Sequence, residues 1–265
     1  MTATFVPARR LSPATGLRNS FTLTWRSVLK IRTNMEDLFG LSLQPIMYLV
    51  LFTYVFGGAI SGSTHSYLQF SLPGILVLTV VFATLGTGLM LNQDITTGVF
   101  DRFRSLPIAR WAPLAGAIGG DLVRYAISVA VTLGFGMILG FRITTSPLAA
   151  AAGCLLLLVF ALAMCWFSAL IGLLVKSPQG VQLFGFLGMF PLVFGSGLLV
   201  PVATMPGWLQ SFAKVNPVTY LTEAERALLT GTGPAAGPVI KSLLWALGIF
   251  VVFAPLAVRA YRRRT

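Results

Sequence analysis

Charge is what this sequence has least of. Only 10% of its 265 residues are Asp, Glu, Lys or Arg, and just seven are acidic; an ordinary soluble domain carries about 25% charged residues. With 56% hydrophobic residues and a mean hydropathy of +0.85, the composition fits a polytopic membrane protein and leaves no comfortable place for a soluble one. There is one histidine, His65, so no set of imidazole ligands can converge on a metal. The two cysteines, Cys154 and Cys165, lie within one apolar run, which argues against a structural disulfide or a metal site. The first 20 residues lack an apolar core, so a cleaved signal peptide is not expected. No Gly-rich loop ending in Lys-Ser/Thr occurs, and no G-x-G-x-x-G, H-E-x-x-H or G-x-S-x-G. Any ATP hydrolysis that drives this protein must therefore happen on another chain.

What is present is a series of long apolar runs. Six are each about as long as the 20 or so residues a helix needs to cross the hydrocarbon core: Leu38–Gly58, Leu72–Leu91, Pro113–Phe141, Pro147–Val175, Gly180–Val200 and Gly237–Val258. They divide the chain into a leader (1–37), a six-span transmembrane domain (38–258) and a basic tail (259–265). With the N-terminus inside, the inner segments hold fourteen Lys and Arg; the outer ones hold four, Arg142, Lys214, Arg226 and Lys241. This bias places both termini in the cytoplasm and accounts for the net charge of +12 without nucleic acid.

Two polar stretches break the pattern. Gln93–Trp111 holds Asp94, Asp101, Arg102, Arg104 and Arg110 between two apolar runs, and must project into water or against a partner. On the other side of the membrane, 201–236 reads as two short helices dipping back toward the outer leaflet, with an ordinary surface loop as the alternative. Met205-Pro206-Gly207-Trp208 begins the first. Asn216-Pro217 is a cap and first-turn pair for the second, and Gly231 is its stop. Tyr220, Leu221, Ala224 and Leu228 share one face of that helix, with Glu223 and Arg226 elsewhere. In the leader, Leu17, Phe21, Trp25 and Val28 form a stripe beside Arg18, Arg26, Lys30 and Arg32. That is a basic amphipathic helix suited to the membrane interface, or else a solvated polar segment.

Placed in this order, the segments resemble the permease subunits of type-2 ABC exporters, the daunorubicin-resistance branch in particular. Gly98-Val99-Phe100-Asp101-Arg102-Phe103-Arg104-Ser105-Leu106-Pro107 resembles the family's Gly-Thr-x-Glu-x-Leu/Phe-Arg-x-x-Pro segment, with Val99 for the common Thr and Asp101 for the usual Glu. Asn216-Pro217-Val218-Thr219-Tyr220, continuing through Glu223 and Arg226, resembles its Asn-Pro-x-x-Tyr stretch. Met205-Pro206-Gly207-Trp208 resembles its Met-Pro-x-Trp turn. The similarity runs from about Arg26 onward. It implies an all-α fold of six spans with an interfacial connecting helix (17–32), a cytoplasmic coupling helix (about 99–105) and re-entrant outer helices. Two such subunits, identical or paralogous, would pair with two copies of a separate ABC ATPase. This chain would bind no cofactor, and ATP and Mg²⁺ would sit on the partner.

Gly98, Asp101, Arg102, Phe103, Arg104 and Pro107 are thus the expected ATPase-coupling residues. Trp25, Arg26, Lys30, Arg32 and Asp94 are the expected connecting-helix contacts; an ion pair from Asp94 or Asp101 to Arg26, Lys30 or Arg32 would tie the coupling loop to the first span. Pro206, Trp208, Asn216, Pro217, Tyr220, Glu223 and Arg226 form the outer motif. Asp121 and Arg124, three apart on one helix face, read as a self-neutralising pair or a hinge contact. Gly116/Gly120 and Gly136/Gly140 have the small-x-x-x-small spacing of close helix packing. Phe186, Met189, Phe190 and Phe194 offer a soft aromatic lining for a hydrophobic cargo, or face lipid and core. The expectation is a bacterial cytoplasmic-membrane permease exporting a drug, natural product or lipid. Export of a polysaccharide or lipid-linked glycan is the alternative, and a membrane-embedded enzyme or assembly factor a more distant one.

Overall fold

A run of residues apolar on every side can only be the middle of something, and Ser71–Val81 is such a run: every residue in it is buried. The computed structural model describes residues 35–97 and 112–264, and in it this run sits within α3 (Thr64–Thr96), the helix around which the others pack. Before it come α1 (Met35–Leu51), a five-residue π-helical stretch (Phe52–Phe56) and the short α2 (Gly57–Ser61). After it come α4 (Ala112–Ile138), α5 (Pro147–Leu174), α6 (Pro178–Phe194), a 3₁₀ turn (Val202–Thr204), α7 (Gly207–Ala213), α8 (Pro217–Thr230) and α9 (Ala236–Arg264). No strand occurs among the described residues.

The helices start where serine or asparagine can cap them. Ser63, Ser146 and Ser177 accept backbone N–H bonds from Ser66, Ala149 and Gly180, at 3.1, 3.2 and 3.2 Å. Behind the last two caps, Pro147 and Pro178 occupy the first turn, where a missing N–H costs nothing. Asn216 Oδ1 accepts from Val218 N–H at 2.9 Å ahead of Pro217, and Gly231, at φ 66°, stops α8, so this helix has the predicted bounds. The alternation of directions gives the bundle two ends. The proximal end gathers Thr96, Ala112 and the α5–α6 turn; the distal end gathers Gly62, Gly140 and all of 195–235.

Among the described residues, five helical segments are long and apolar enough to cross a membrane: Ser42–Ile60, Thr64–Thr96, Gly116–Ile138, Pro147–Leu174 and Ala236–Tyr261. The expected fifth span, Gly180–Val200, is a shorter helix of 17 residues. It breaks at Gly195, whose N–H bonds back to Pro191 O at 2.9 Å, while Ser196 Oγ caps Val193 O at 2.6 Å. From there 195–200 bends across the distal end, with Leu198 buried against Gly74 of α3. The second span is longer than its apolar run because Gln69, Asn92 and Gln93 stay helical, and α9 continues through the basic tail to Arg264.

Helix packing relies on one glycine that the spacing picked out and on others that it did not. Gly136 does pack inside the chain, against Leu72 and Leu49, but Gly140, at φ 108°, ends the turn after α4. The closest approach joins α3 to α5, where Gly88 and Gly172 leave no room for a side chain between the two backbones.

Candidate functional site

Two rows of aromatic rings face each other along one side of the bundle. On α6, Phe186, Phe190 and Phe194 recur every four residues and so lie on one helix face. Their centroids are 5.2 and 4.5 Å apart, and Phe82 of α3 stacks on Phe186 at 5.7 Å. On α1 and the π-helical stretch, Tyr48, Phe52 and Phe56 repeat the same spacing, at 6.3 and 5.5 Å. Between the rows runs a groove of about 750 Å³ lined by Tyr48, Phe52, Phe82, Phe186, Phe190 and Phe194, with Gln44, Gln179 and Gln182 at its proximal part. A second cavity, of about 250 Å³, shares Phe52 and Phe194 with the groove and extends distally past Tyr67 and Val193 to Ser196, Val200 and Met205. No charged side chain lines either one among the described residues. Such walls suit an uncharged apolar surface, with the glutamine amides placed to orient a polar group.

At the distal end of the second cavity lies 195–200, held in place through its carbonyls. Tyr67 O–H donates to Leu199 O at 3.0 Å. From α8, Arg226 Nη2 donates to Leu198 O at 2.8 Å and Nε to Phe70 O at 3.0 Å, with the guanidinium lying on the Phe70 ring, 3.7 Å from its centroid. Asn216 Nδ2 adds a bond to Leu192 O at 2.7 Å. Burial pulls the Arg226 guanidinium down to about 10, opposed by Glu223 and Tyr67 nearby, so it remains a cation at neutral pH. Of the rest of the outer motif, Pro217 is buried, Tyr220 donates to the Lys214 carbonyl, and Pro206, Trp208 and Glu223 are exposed.

The sequence-based candidates divide accordingly. Phe186, Phe190 and Phe194 come together in the groove; Met189 turns the other way and is wholly buried in the core. Asp121 pairs with Arg124 at 3.4 Å but also accepts from Thr87 Oγ1 at 2.7 Å, and Thr87 in turn meets Tyr125 OH at 2.8 Å. The pair is therefore part of a buried knot joining α3 to α4, and not only a self-contained surface neutralisation. Asp94 is half-buried near the end of α3. Trp25, Arg26, Lys30 and Arg32, with Gly98, Asp101, Arg102, Phe103, Arg104 and Pro107, lie outside the described residues.

Three features were missed at the sequence level. The Tyr48/Phe52/Phe56 spacing lies inside an apolar run that hydropathy alone reads as plain span. Asn92, fully buried, sends both amide hydrogens to the end of α5, to Gly172 O at 2.9 Å and Val175 O at 2.7 Å. Glu225, in α8, is also fully buried, although the helical pattern gave no reason to place it inside.

Comparison with known proteins agrees with this architecture. The family model for ABC-2 type transporters matches residues 18–230. A daunorubicin resistance ABC transporter permease protein, DrrB1, of Streptomyces coeruleorubidus is 39% identical, covering 97% of this chain and 89% of that protein. A probable doxorubicin resistance ABC transporter permease protein, DrrC, of Mycobacterium tuberculosis is 29% identical over 84% of this chain and 81% of its own. The putative transport permease ycf38 of Cyanophora paradoxa is 32% identical over 80% and 74%. Five membrane-length apolar helices and one shorter one among the described residues, a capped Asn-Pro helix beside the last of them and a match over most of the length lead to one assignment: the chain belongs to the ABC-2 type transporter family.

Proposed function

We propose that this chain is the membrane-spanning permease subunit of an ATP-driven exporter that moves a hydrophobic or amphipathic drug, natural product or lipid out of a bacterial cell. The observation that carries the reading is the uncharged aromatic groove, continued distally by the second cavity. The names of two relatives, which refer to daunorubicin and doxorubicin resistance, point the same way. On this reading α6 is the fifth of six spans; its 17 residues reach about 25 Å at 1.5 Å per residue, and 195–200 completes the crossing. The excess of Lys and Arg puts the proximal end and both termini in the cytoplasm. The leader helix then lies in the interface, α7 and α8 re-enter from outside, and 98–111 receives the push of the ATPase. Cargo enters near Gln44, Gln179 and Gln182 and leaves past 195–200. Two copies of a separate ATPase supply ATP and Mg²⁺, and the open side of the groove faces a second permease subunit. Aromatic walls also stack on sugar rings, which keeps a glycan exporter as the alternative.

Purifying the chain alone and together with the ATPase encoded beside it, and assaying ATP turnover, tests the proposal. Turnover is expected only in the complex and is expected to rise with an amphipathic drug or lipid; a solitary protein that binds no ATPase overturns it, and stimulation by glycan alone selects the alternative. Asp101→Lys is expected to leave the complex assembled and hydrolysing ATP while export is lost. Wild-type export by that variant would remove Asp101 from coupling.

The groove makes its own prediction. Phe190 packs its ring against two neighbours and is 43% exposed, so Phe190→Ala removes wall and not core. Aromatic contacts contribute about 0.5–1.5 kcal/mol each. The cargo concentration giving half-maximal stimulation should therefore rise about tenfold, with the melting temperature nearly unchanged. An unaltered cargo response would place the path elsewhere.

A further inference from the structure

Glu225 is the most deeply placed acid in the described structure, and it has no partner. It is 0% exposed, and neither carboxyl oxygen accepts a hydrogen bond. It projects from α8 onto α5 at Gly153, the residue that makes room for it: a Cβ there would lie 2.9 Å from Oε2. The titratable group across that seam is the Cys154 thiol of α5. Other charged or titratable groups on the surrounding elements are engaged elsewhere. Arg226, next in sequence, reaches α3. Tyr67 of α3 bonds Leu199 O, and Lys241 of α9 sits over the Tyr220 ring at 4.7 Å. His65 of α3 lies against Gly140, Asp94 is at the proximal end, and Glu223 is exposed. Helix α6 has no titratable residue.

An isolated carboxylate in such a place would cost far more than a neutral acid, so the docked helix selects the protonated form. We propose that Glu225 is a proton-binding site that fastens α8 to the bundle, holding its proton while α8 lies against α5 and giving it to water when α8 lifts away. Undocking hydrates the carboxyl, which ionises; redocking must take a proton back. Acidity on the distal side would therefore favour the closed path and alkalinity the open one. Burial pushes the carboxyl up to about 8, in line with this geometry.

The sign follows from linkage. An exposed Glu loses its proton near its ordinary value of 4.5 and the docked one near 8. Between these, undocking releases one proton, so its equilibrium constant rises about tenfold per pH unit, levelling off above about pH 8. The test is amide hydrogen exchange of residues 217–230 in the full chain in lipid nanodiscs from pH 5 to 9, corrected for intrinsic exchange. Protection of α8 should fall about tenfold per unit to pH 8 and then level, while Glu225→Gln, of the same shape and never charged, stays flat. A flat wild-type profile, or the same slope in Glu225→Gln, overturns the proposal. The measurement needs neither ATPase nor cargo, so its failure is distinct from failure of the exporter reading.

Discussion

Asn92→Asp is expected to destabilise the chain by about 3–5 kcal/mol, the range for leaving a buried polar arrangement broken, and to abolish export. The wild-type amide is fully buried and gives one hydrogen to Gly172 O and the other to Val175 O, at 2.9 and 2.7 Å. Those carbonyls belong to the last turn of α5 and the residue after it, where a helix has no partners of its own to offer. A carboxylate has no hydrogen to donate and would set negative oxygens against two carbonyl oxygens. A protonated acid could satisfy only one of them. Asn92→Ala removes the donors without adding a charge and should cost less, about 2 kcal/mol or somewhat more for two unsatisfied carbonyls. Thermal unfolding of the purified chain in detergent ranks the three proteins. Near-equal melting of Asp and wild type would show that water, not Asn92, serves the end of α5. Export should fail with stability because Asn92 stands where α3 leaves the core for the 98–111 segment, so loosening it lets the proximal ends of α3 and α5 part just where a push from the ATPase would arrive.

Asn92 also shows where the sequence stopped being legible. A polar residue at the end of an apolar run reads as the end of the span, and its bonds to α5 depend on Gly88 and Gly172 bringing two distant helices into contact. Glu225 escaped notice for the same reason. In a helix carrying Glu223, Arg226 and three threonines, one more acid looks like solvated face, until packing against Gly153 puts it inside. What the sequence carried plainly was local or additive. Caps at Asn216 and Gly231, the Pro-led first turns and the length of each apolar run depend on neighbours along the chain. The break at Gly195 does not, since Phe212 and Gly74, brought in from elsewhere, pack against the bend where hydropathy alone continues the helix. Likewise Phe186, Phe190 and Phe194 formed a visible stripe, but their facing row on α1 became a wall only once the two helices were side by side, and Met189 was placed by the helical turn that carries it to the opposite face.

Arg226→Ala is expected to cost about 3–8 kcal/mol and to let the distal path stand open. The sum has three parts. Two carbonyls, Phe70 O and Leu198 O, lose their donors, at about 1–3 kcal/mol for each acceptor left buried. The guanidinium also leaves the Phe70 ring, at about 1–2 kcal/mol for a partly desolvated cation–π contact. Arg226→Lys separates the contributions. Lysine keeps the charge and can reach one carbonyl, but it has neither the fork that spans α3 and the 195–200 bend nor the flat face that lies on Phe70. It should recover less than half of the loss. Of the ties on this bend, Tyr67 to Leu199 O and Arg226 to Leu198 O are separate anchors, so Tyr67→Phe alone should cost only about 1 kcal/mol. The double variant should exceed the sum if both hold one closing element. The functional readout is leak: in vesicles without ATP, Arg226→Ala should pass an amphipathic dye that the wild type retains, and Arg226→Lys should lie between them. Wild-type tightness in Arg226→Ala, with the expected fall in melting temperature, would make Arg226 a brace of the fold and assign closure of the path to Tyr67 and the buried Leu198.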